Sequence, residues 1–160
     1  MEKHLKKLKE LIKKQINLLG LIKSIENSKN EILSQGKLMD FGALNENQTS
    51  LMEENVKLEK EREAILKEIY GQDLQDLKFS QIVEKTLDHS LKQELNFLFN
   101  QLKEKVTEIK ILTSTNQELI EIALQVIDLT LSQGEISKQE IDYTQKSNIE
   151  NRSLLVNQLI

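Results

Sequence analysis

The chain lacks proline and cysteine altogether and has only five glycines in 160 residues. Because β-hairpins and meanders depend on glycine- and proline-rich turns, this scarcity argues against a β-rich fold. The absence of cysteine excludes a disulfide, a thiolate nucleophile and a cysteine-based metal site. Aromatic residues make up 4% of the chain and charged residues 30%. This composition is typical of long amphipathic helices, and the predicted fold class is all-α.

Several functional classes are disfavoured by what the sequence lacks. The two histidines, His4 and His89, are too few for a histidine-rich metal site. A net charge of −4 argues against nucleic acid as the main partner, since phosphate binding requires clustered excess lysine and arginine. No apolar run approaches the ~18 residues that cross a bilayer, so no membrane insertion is expected.

The lysine-rich N-terminus allows three interpretations: a membrane-surface helix, the start of a signal peptide, or the solvated face of a structural helix. The apolar run that follows, residues 16–22, contains Asn17 and Gly20 and lacks a small-residue cleavage site. We therefore favour the solvated face and expect a cytoplasmic protein. The lysines concerned are Lys3, Lys6, Lys7, Lys9, Lys13 and Lys14.

Apolar residues recur at three- and four-residue steps through most of the chain, which predicts helices over about residues 2–35, 41–70, 80–87 and 88–133. Gly36 and Gly71 stand where a left-handed residue would end the first two. The last has neither glycine nor proline and would be roughly 65 Å long. We expect an elongated antiparallel helical bundle or coiled coil with one very long C-terminal helix. Gly20, inside the first helix, could mark a close helix crossing.

The composition changes after residue 133. Residues 134–160 are rich in serine, asparagine and glutamine, with isolated aliphatic residues and an apolar end at residues 154–160. We therefore divide the chain into a helical domain, residues 1–133, and a flexible or loosely docked C-terminal tail, residues 134–160. Whether the segment 149–160 covers the last predicted helix is left open by the sequence.

The widest apolar face lies at the end of that last helix, over residues 112–131. At about 100° per residue, its aliphatic side chains cover roughly 220° of the circumference, whereas a surface helix needs about 100° to sit on its own core. Such a helix is either buried between neighbours or open to a partner. The remaining polar strip consists of Glu118, Glu121, Gln125 and Asp128.

Motifs that would indicate catalysis are incomplete. His89 and Lys92 have the spacing of a phosphotransfer histidine on a four-helix bundle, but Gln93 stands where that pattern has glycine. Residues 40–42 match the kinase magnesium tripeptide by letters only, without a glycine-rich or catalytic loop. The glutamate pairs lack the Glu-x-x-His repeats of a di-iron bundle. We predict a non-enzyme with no catalytic, metal or cofactor-binding residues.

Two stretches of the chain resemble the FlgN-type flagellar type III export chaperones. Residues 116–127 are similar to that family's long C-terminal helix, which has an asparagine, a leucine–aliphatic pair, a small residue followed by leucine, and paired aliphatics. A second stretch resembles the family's middle helix through Gln48, Leu51, Asn55, Leu58, Glu59 and Arg62. After the long helix the family often has a tyrosine followed shortly by aspartate and glycine; here Tyr143 is present but no glycine follows it.

The resemblance implies a cytoplasmic chaperone that binds the C-terminal amphipathic helices of hook-associated proteins, prevents their premature assembly and aids delivery to the export gate. It implies no cofactor, and a contact between Tyr143 and the export gate. Asn116 could fix the register, as seam asparagines do in coiled coils. The implied client-binding residues are Asn116, Leu119, Ile120, Ala123, Leu124, Val126, Ile127 and Leu131.

The alternative is a structural or adaptor coiled coil, or helical bundle, without a secretion role. A chaperone, expected as a monomer or weak homodimer, should expose surplus apolar surface, whereas an adaptor should bury it in long regular heptads. The heptad slips between Leu102 and Ile109, where Lys105 and Val106 compete for one seam position. This irregularity favours the chaperone.

Overall fold

The computed structural model describes residues 1–71 and 78–133. These residues contain helices and no strand, which confirms the predicted all-α class. The long C-terminal helix has 44 residues. The elements in chain order are α1 (Glu2–Gln35), a 3₁₀ turn (Leu38–Asp40), α2 (Phe41–Tyr70), α3 (Phe79–Lys85) and α4 (His89–Ser132). Within the described ranges, no helix is long and apolar enough to cross a membrane.

The first two long helices end at glycines in the left-handed conformation. Gly36 has φ +68° and Gly71 has φ +87°, as the sequence predicts for residues that close a helix. At the end of α1 the N–H of Gly36 donates to the carbonyl of Leu33 (3.3 Å). The N–H of Lys37 donates to the carbonyl of Ile32 (3.0 Å). These bonds satisfy carbonyls that the helix itself leaves unpaired.

The helices α3 and α4 begin at different kinds of N-cap residue, a lysine for α3 and an aspartate for α4. Lys78 is the N-cap residue of α3, and its N–H donates to Gln81 Oε1 (2.9 Å). At the start of α4, the carboxylate of Asp88 accepts the N–H of Leu91 (2.9 Å). An acidic N-cap of this kind also interacts favourably with the positive end of the helix dipole.

The contacts between helices group into two units that draw on the same three long helices. The first unit comprises Met1–Leu21 and Leu51–Thr107. Its core is mainly hydrophobic, and burying each such side chain stabilises the fold by about 1.5–3 kcal/mol. The buried hydrophobic side chains are Leu5, Leu8, Leu11, Ile12, Leu18, Leu19, Met52, Ile65, Leu66, Ile82, Val83, Leu91, Leu95, Leu98, Phe99 and Leu102.

Polar contacts in the first unit fix the direction of the helices. The Nε2 atom of His4 on α1 lies 3.3 Å from Oε2 of Glu68 on α2. Gln15, further along α1, accepts a hydrogen bond from Arg62 of α2. As the residue number on α1 rises, the residue number of its contact on α2 falls, so α1 and α2 are antiparallel. An ion pair between Lys9 and Glu94 joins α1 to α4.

The second unit comprises Ile22–Ser50 and Glu108–Ile160. Among its described side chains, only two aliphatic ones are buried, Ile22 and Ile109. The other buried side chains in this part are polar: Glu26, Lys29, Gln48 and Asn116. The core of the second unit therefore differs in chemistry from that of the first.

Gly20 makes no close helix crossing. A Cβ atom placed there would meet nothing within 4 Å, so the crossing suggested by the sequence is absent. The backbone freedom of glycine in the middle of a helix costs about 1 kcal/mol relative to alanine. Nothing in the packing around Gly20 explains why this cost is accepted.

Candidate functional site

The last part of α4 is largely uncovered by the described residues. From residue 110 to residue 133 the only buried side chain is Asn116. Val126, one of the predicted client-binding residues, is 56% exposed. The six other aliphatic residues of that prediction are half-buried: Leu119, Ile120, Ala123, Leu124, Ile127 and Leu131. The apolar surface in this part of α4 is thus only partly removed from water.

Asn116 lies at the centre of a buried polar cluster, which we define as Glu26, Lys29, Gln48 and Asn116. Its Nδ2 donates to the carboxylate Oε2 of Glu26 (2.6 Å) and to the backbone carbonyl of the same residue (2.8 Å). Gln48 Nε2 donates to Glu26 Oε1 (2.5 Å). One carboxylate on α1 therefore joins α2 and α4 through charge-assisted hydrogen bonds, which are stronger than neutral ones.

Lys29 is the cation of the buried polar cluster. Its Nζ lies 3.8 Å from Glu26 Oε1, too far for a good hydrogen bond, and 5.3 Å from the centre of the Phe41 ring. Burial lowers the pKa of Lys29, and the nearby charge of Glu26 opposes that shift only in part. Among the described residues, Lys29 Nζ, Gln48 Oε1 and Asn116 Oδ1 are buried without a hydrogen-bond partner.

A second polar network lies in the first unit. Gln15 Oε1 accepts a hydrogen bond from Arg62 Nη1 (2.9 Å), and Gln15 Nε2 donates to Asn55 Oδ1 (3.5 Å). The guanidinium of Arg62 also stands 5.2 Å from the centre of the Phe79 ring, which stacks on Phe99 at 4.2 Å. Burial lowers the pKa of Arg62.

Gln48, Asn55 and Arg62 follow one another at seven-residue steps along α2, and each contacts α1 within its own unit. In the sequence these three residues support the family resemblance, which does not by itself show that they share one side of the helix. The signal was present, because a seven-residue step returns to nearly the same side of a helix. On α1, Glu26 and Lys29 likewise continue the buried seam after Ile22 at steps of four and three.

Other candidate residues are placed as follows. His89, at the first position of α4, is exposed, with a ring nitrogen 3.1 Å from Gln93 Nε2. Phe41, in the kinase-like tripeptide, lies beside Lys29. No group of three or more acidic, histidine or cysteine residues in the described ranges could hold a metal ion. Tyr143, the predicted export-gate residue, lies outside the described residues.

Comparison with models of protein families finds a match. The model of a family described as FlgN protein matches residues 1–149 of the 160. No curated protein matches the chain. No solved structure matches it either. Since the family match spans both helical units and extends past the end of α4, the chain belongs to the FlgN family.

Proposed function

We propose that this protein binds the C-terminal amphipathic helices of hook-associated proteins through the last part of α4. Membership of the FlgN family gives the general function, a flagellar export chaperone, and this is a chaperone family rather than an enzyme family. The identity of the client and the place where it binds are the proposal. Because such a chaperone acts before its client is exported, we assign it to the cytoplasm.

The observation that supports this proposal best is the uncovered aliphatic surface of α4. Residues 117–133 contain no buried side chain, although eight of the seventeen residues are leucine, isoleucine or valine. An amphipathic client helix can cover such a surface in the helix-in-groove mode, where apolar side chains at three- and four-residue steps interlock. Covering this surface would stabilise the complex by roughly 25 cal/mol for each Å² of apolar area removed from water.

We assign the client contact to Leu119, Ile120, Ala123, Leu124, Val126, Ile127 and Leu131. Asn116 would mark the limit of that contact, because its Nδ2 already bonds to Glu26 and only its Oδ1 remains without a partner among the described residues. A client helix covered in this way cannot expose its own apolar face, and premature assembly and aggregation are thereby prevented.

A double substitution in the proposed client contact tests the assignment. Leu124→Asp with Ile127→Asp should abolish binding of hook-associated C-terminal peptides, because two carboxylates would be desolvated in an apolar contact. Far-UV circular dichroism should show helicity close to that of the unchanged protein, since both side chains are only half-buried. Loss of the helical signal would instead identify them as core residues.

A matched control separates the position of the change from its chemistry. Met39 and Leu87 are 99% and 95% exposed and lie outside α4. Met39→Asp with Leu87→Asp therefore removes two apolar side chains and adds two charges without touching the proposed contact. Isothermal titration with the same peptides should give unchanged affinity for this control. Equal loss in both variants would contradict the assignment.

The alternative function, a structural or adaptor helical protein, predicts a different result. An adaptor would cover the end of α4 by self-association, which sedimentation analysis would detect as a dimer whose formation is lost with Leu124→Asp and Ile127→Asp. A dissociation constant of tens of micromolar corresponds to about 6 kcal/mol of binding free energy. If no hook-associated peptide binds at concentrations of tens of micromolar, the chaperone–client proposal is wrong.

For Tyr143 we propose a contact with the export gate, following the family pattern. The substitution Tyr143→Ala should leave peptide binding unchanged but lower the secretion of hook-associated proteins in cells that depend on this chaperone. Tyr70, the other tyrosine of the chain, is not a useful control because it lies in the packed first unit. Normal secretion with Tyr143→Ala would contradict the contact.

A further inference from the structure

A second apolar surface lies on another side of α4. It consists of Ile111, Ile122, Val126 and Leu129, which are 63%, 56%, 56% and 63% exposed, and which we call the outer stripe. At about 100° per residue, these four lie roughly 80–160° around the helix from the buried residues Ile109 and Asn116. The outer stripe therefore faces away from the buried polar cluster and is distinct from most of the proposed client contact.

Along α4 itself, the outer stripe has acidic neighbours and no basic ones. Residues 111–133 contain three carboxylates, Glu118, Glu121 and Asp128, and neither lysine nor arginine. All three are exposed. At the same angular spacing they lie together on one flank of the stripe. The preceding part of α4, residues 89–110, carries four lysines, so the change in charge occurs within one helix.

We propose that the outer stripe docks one amphipathic helix whose apolar face is bordered by lysine or arginine. This inference rests on the proposed chaperone function and adds to the proposed client contact a second surface on α4, with the chemical class of the helix that this surface accepts. The stripe spans 19 residues, about 28 Å of helix, and the exposed Thr115 separates Ile111 from the other three. The partner helix should have a similar length. Basic flanking residues would oppose the three carboxylates and increase the rate of association.

Other occupants lack this complementarity. In an isologous dimer the same surface faces itself, and residues 111–133 of a second copy contain no basic side chain to oppose the carboxylates. The lysine-rich start of α1 in a second copy has its aliphatic side chains Leu5, Leu8 and Ile12 buried in its own core. The segment 149–160 of the chain has one acidic residue and one arginine and so carries no net positive side-chain charge. An anionic membrane surface would be repelled.

The test uses two synthetic 18-residue peptides with an identical leucine face, one flanked by lysine and the other by glutamate. Fluorescence anisotropy should show the lysine peptide binding at least about tenfold more tightly at low salt. The difference should shrink near 1 M salt, where the screening length is about 3 Å. Equal affinities for the two peptides would overturn the proposal.

Two pairs of variants locate the binding. Ile122→Gln with Leu129→Gln should abolish binding of the lysine peptide, whereas Met39→Gln with Leu87→Gln should not; glutamine is a good helix former, so α4 should persist. Glu118→Lys, Glu121→Lys and Asp128→Lys together should reverse the peptide preference. The control triple Glu53→Lys, Glu54→Lys and Glu104→Lys makes the same change in net charge at exposed sites elsewhere. Equal effects of a variant and its control would overturn the proposal.

Peptides from hook-associated proteins distinguish the failure of this inference from that of the proposed function. Suppose those peptides bind, and binding is lost with Leu124→Asp and Ile127→Asp but kept with Ile122→Gln and Leu129→Gln. The proposed function then stands, and the proposal for the outer stripe is overturned if the lysine peptide also fails to bind. If the lysine peptide binds through the outer stripe while no hook-associated peptide binds, the surface is real and the client assignment is wrong.

Discussion

At the scale of single residues, the buried polar side chains are the most informative part of this protein. A buried charge is costly unless it is paired, and a buried amide unless it is hydrogen-bonded. Glu26 meets this requirement through Gln48 and Asn116, on two other helices. Because those bonds need one alignment of three helices, we infer that they select the register of the second unit, a role for which aliphatic side chains are less specific.

The charged pair of the buried polar cluster, Glu26 and Lys29, gives a test of this inference. Glu26→Leu should lower the free energy of unfolding by about 3–5 kcal/mol, because it leaves Lys29 buried without its carboxylate. The double variant Glu26→Leu with Lys29→Met removes both charges and should recover about half of that loss or more. Urea unfolding followed by circular dichroism measures both. Glu31→Leu, at an exposed site on the same helix, is the control and should change stability by less than about 0.5 kcal/mol.

At the scale of elements, α4 is one continuous helix with two kinds of surroundings. Its first part contributes Leu91, Leu95, Leu98, Phe99 and Leu102 to an apolar core. Beyond Leu102 it contributes only Ile109 and Asn116 to buried positions. Helices in proteins are stabilised mainly by packing rather than by their intrinsic propensity. We therefore expect the last part of α4 to have the lower local stability.

Amide hydrogen exchange checks this expectation. Residues 119–131 should exchange at least about tenfold faster than residues 91–102, because fewer buried contacts oppose local opening there. Binding of a hook-associated peptide should slow exchange in residues 119–131 while leaving residues 91–102 unchanged. Uniform protection along α4 in the free protein would show that its last part is already covered.

At the scale of the whole molecule, the two units are stabilised by different chemistry, and this difference should appear in the dependence of stability on pH. Burial holds the pKa of Lys29 below its ordinary 10.5 in the folded protein. Between the folded pKa and 10.5 the unfolded chain binds more protons, so the contribution of Lys29 to the free energy of unfolding rises with pH. Below the folded pKa, both states carry the proton and the cost of the buried charge is constant.

Comparison with Lys29→Met isolates this contribution. We expect the urea midpoint of the unchanged protein to rise relative to that of the variant as the pH increases toward 10. Burial raises the pKa of Tyr70 above its ordinary 10.0. The stability that Tyr70 contributes is therefore lost as the pH rises above 10.0. This loss occurs equally in the unchanged protein and in the variant, so it cancels in the comparison. Parallel profiles would show that Lys29 titrates normally in the folded state.

Much of the fold was predictable because its causes are local. The apolar steps of three and four residues predicted the helices, and the positions of Gly36 and Gly71 predicted left-handed helix ends that the structure confirms. The start of α3 was not predictable in the same way: Ser80 is the better capping residue by type, yet Lys78 takes the N-cap position. Whether a helix crosses close to Gly20 depends on residues that are distant in sequence, and the local sequence pattern does not predict it.

By itself, the sequence determined the helical class, the length of the last helix and its excess of apolar side chains, because periodicity and composition act between near neighbours. Only the tertiary structure decided which polar residues are buried and which side of α4 stays open. Glu26 and Asn116 are 90 residues apart in the chain and bond directly, while Ile122 and Leu129 remain more than half exposed. Such pairings depend on how three helices align, and a single helix does not encode that alignment.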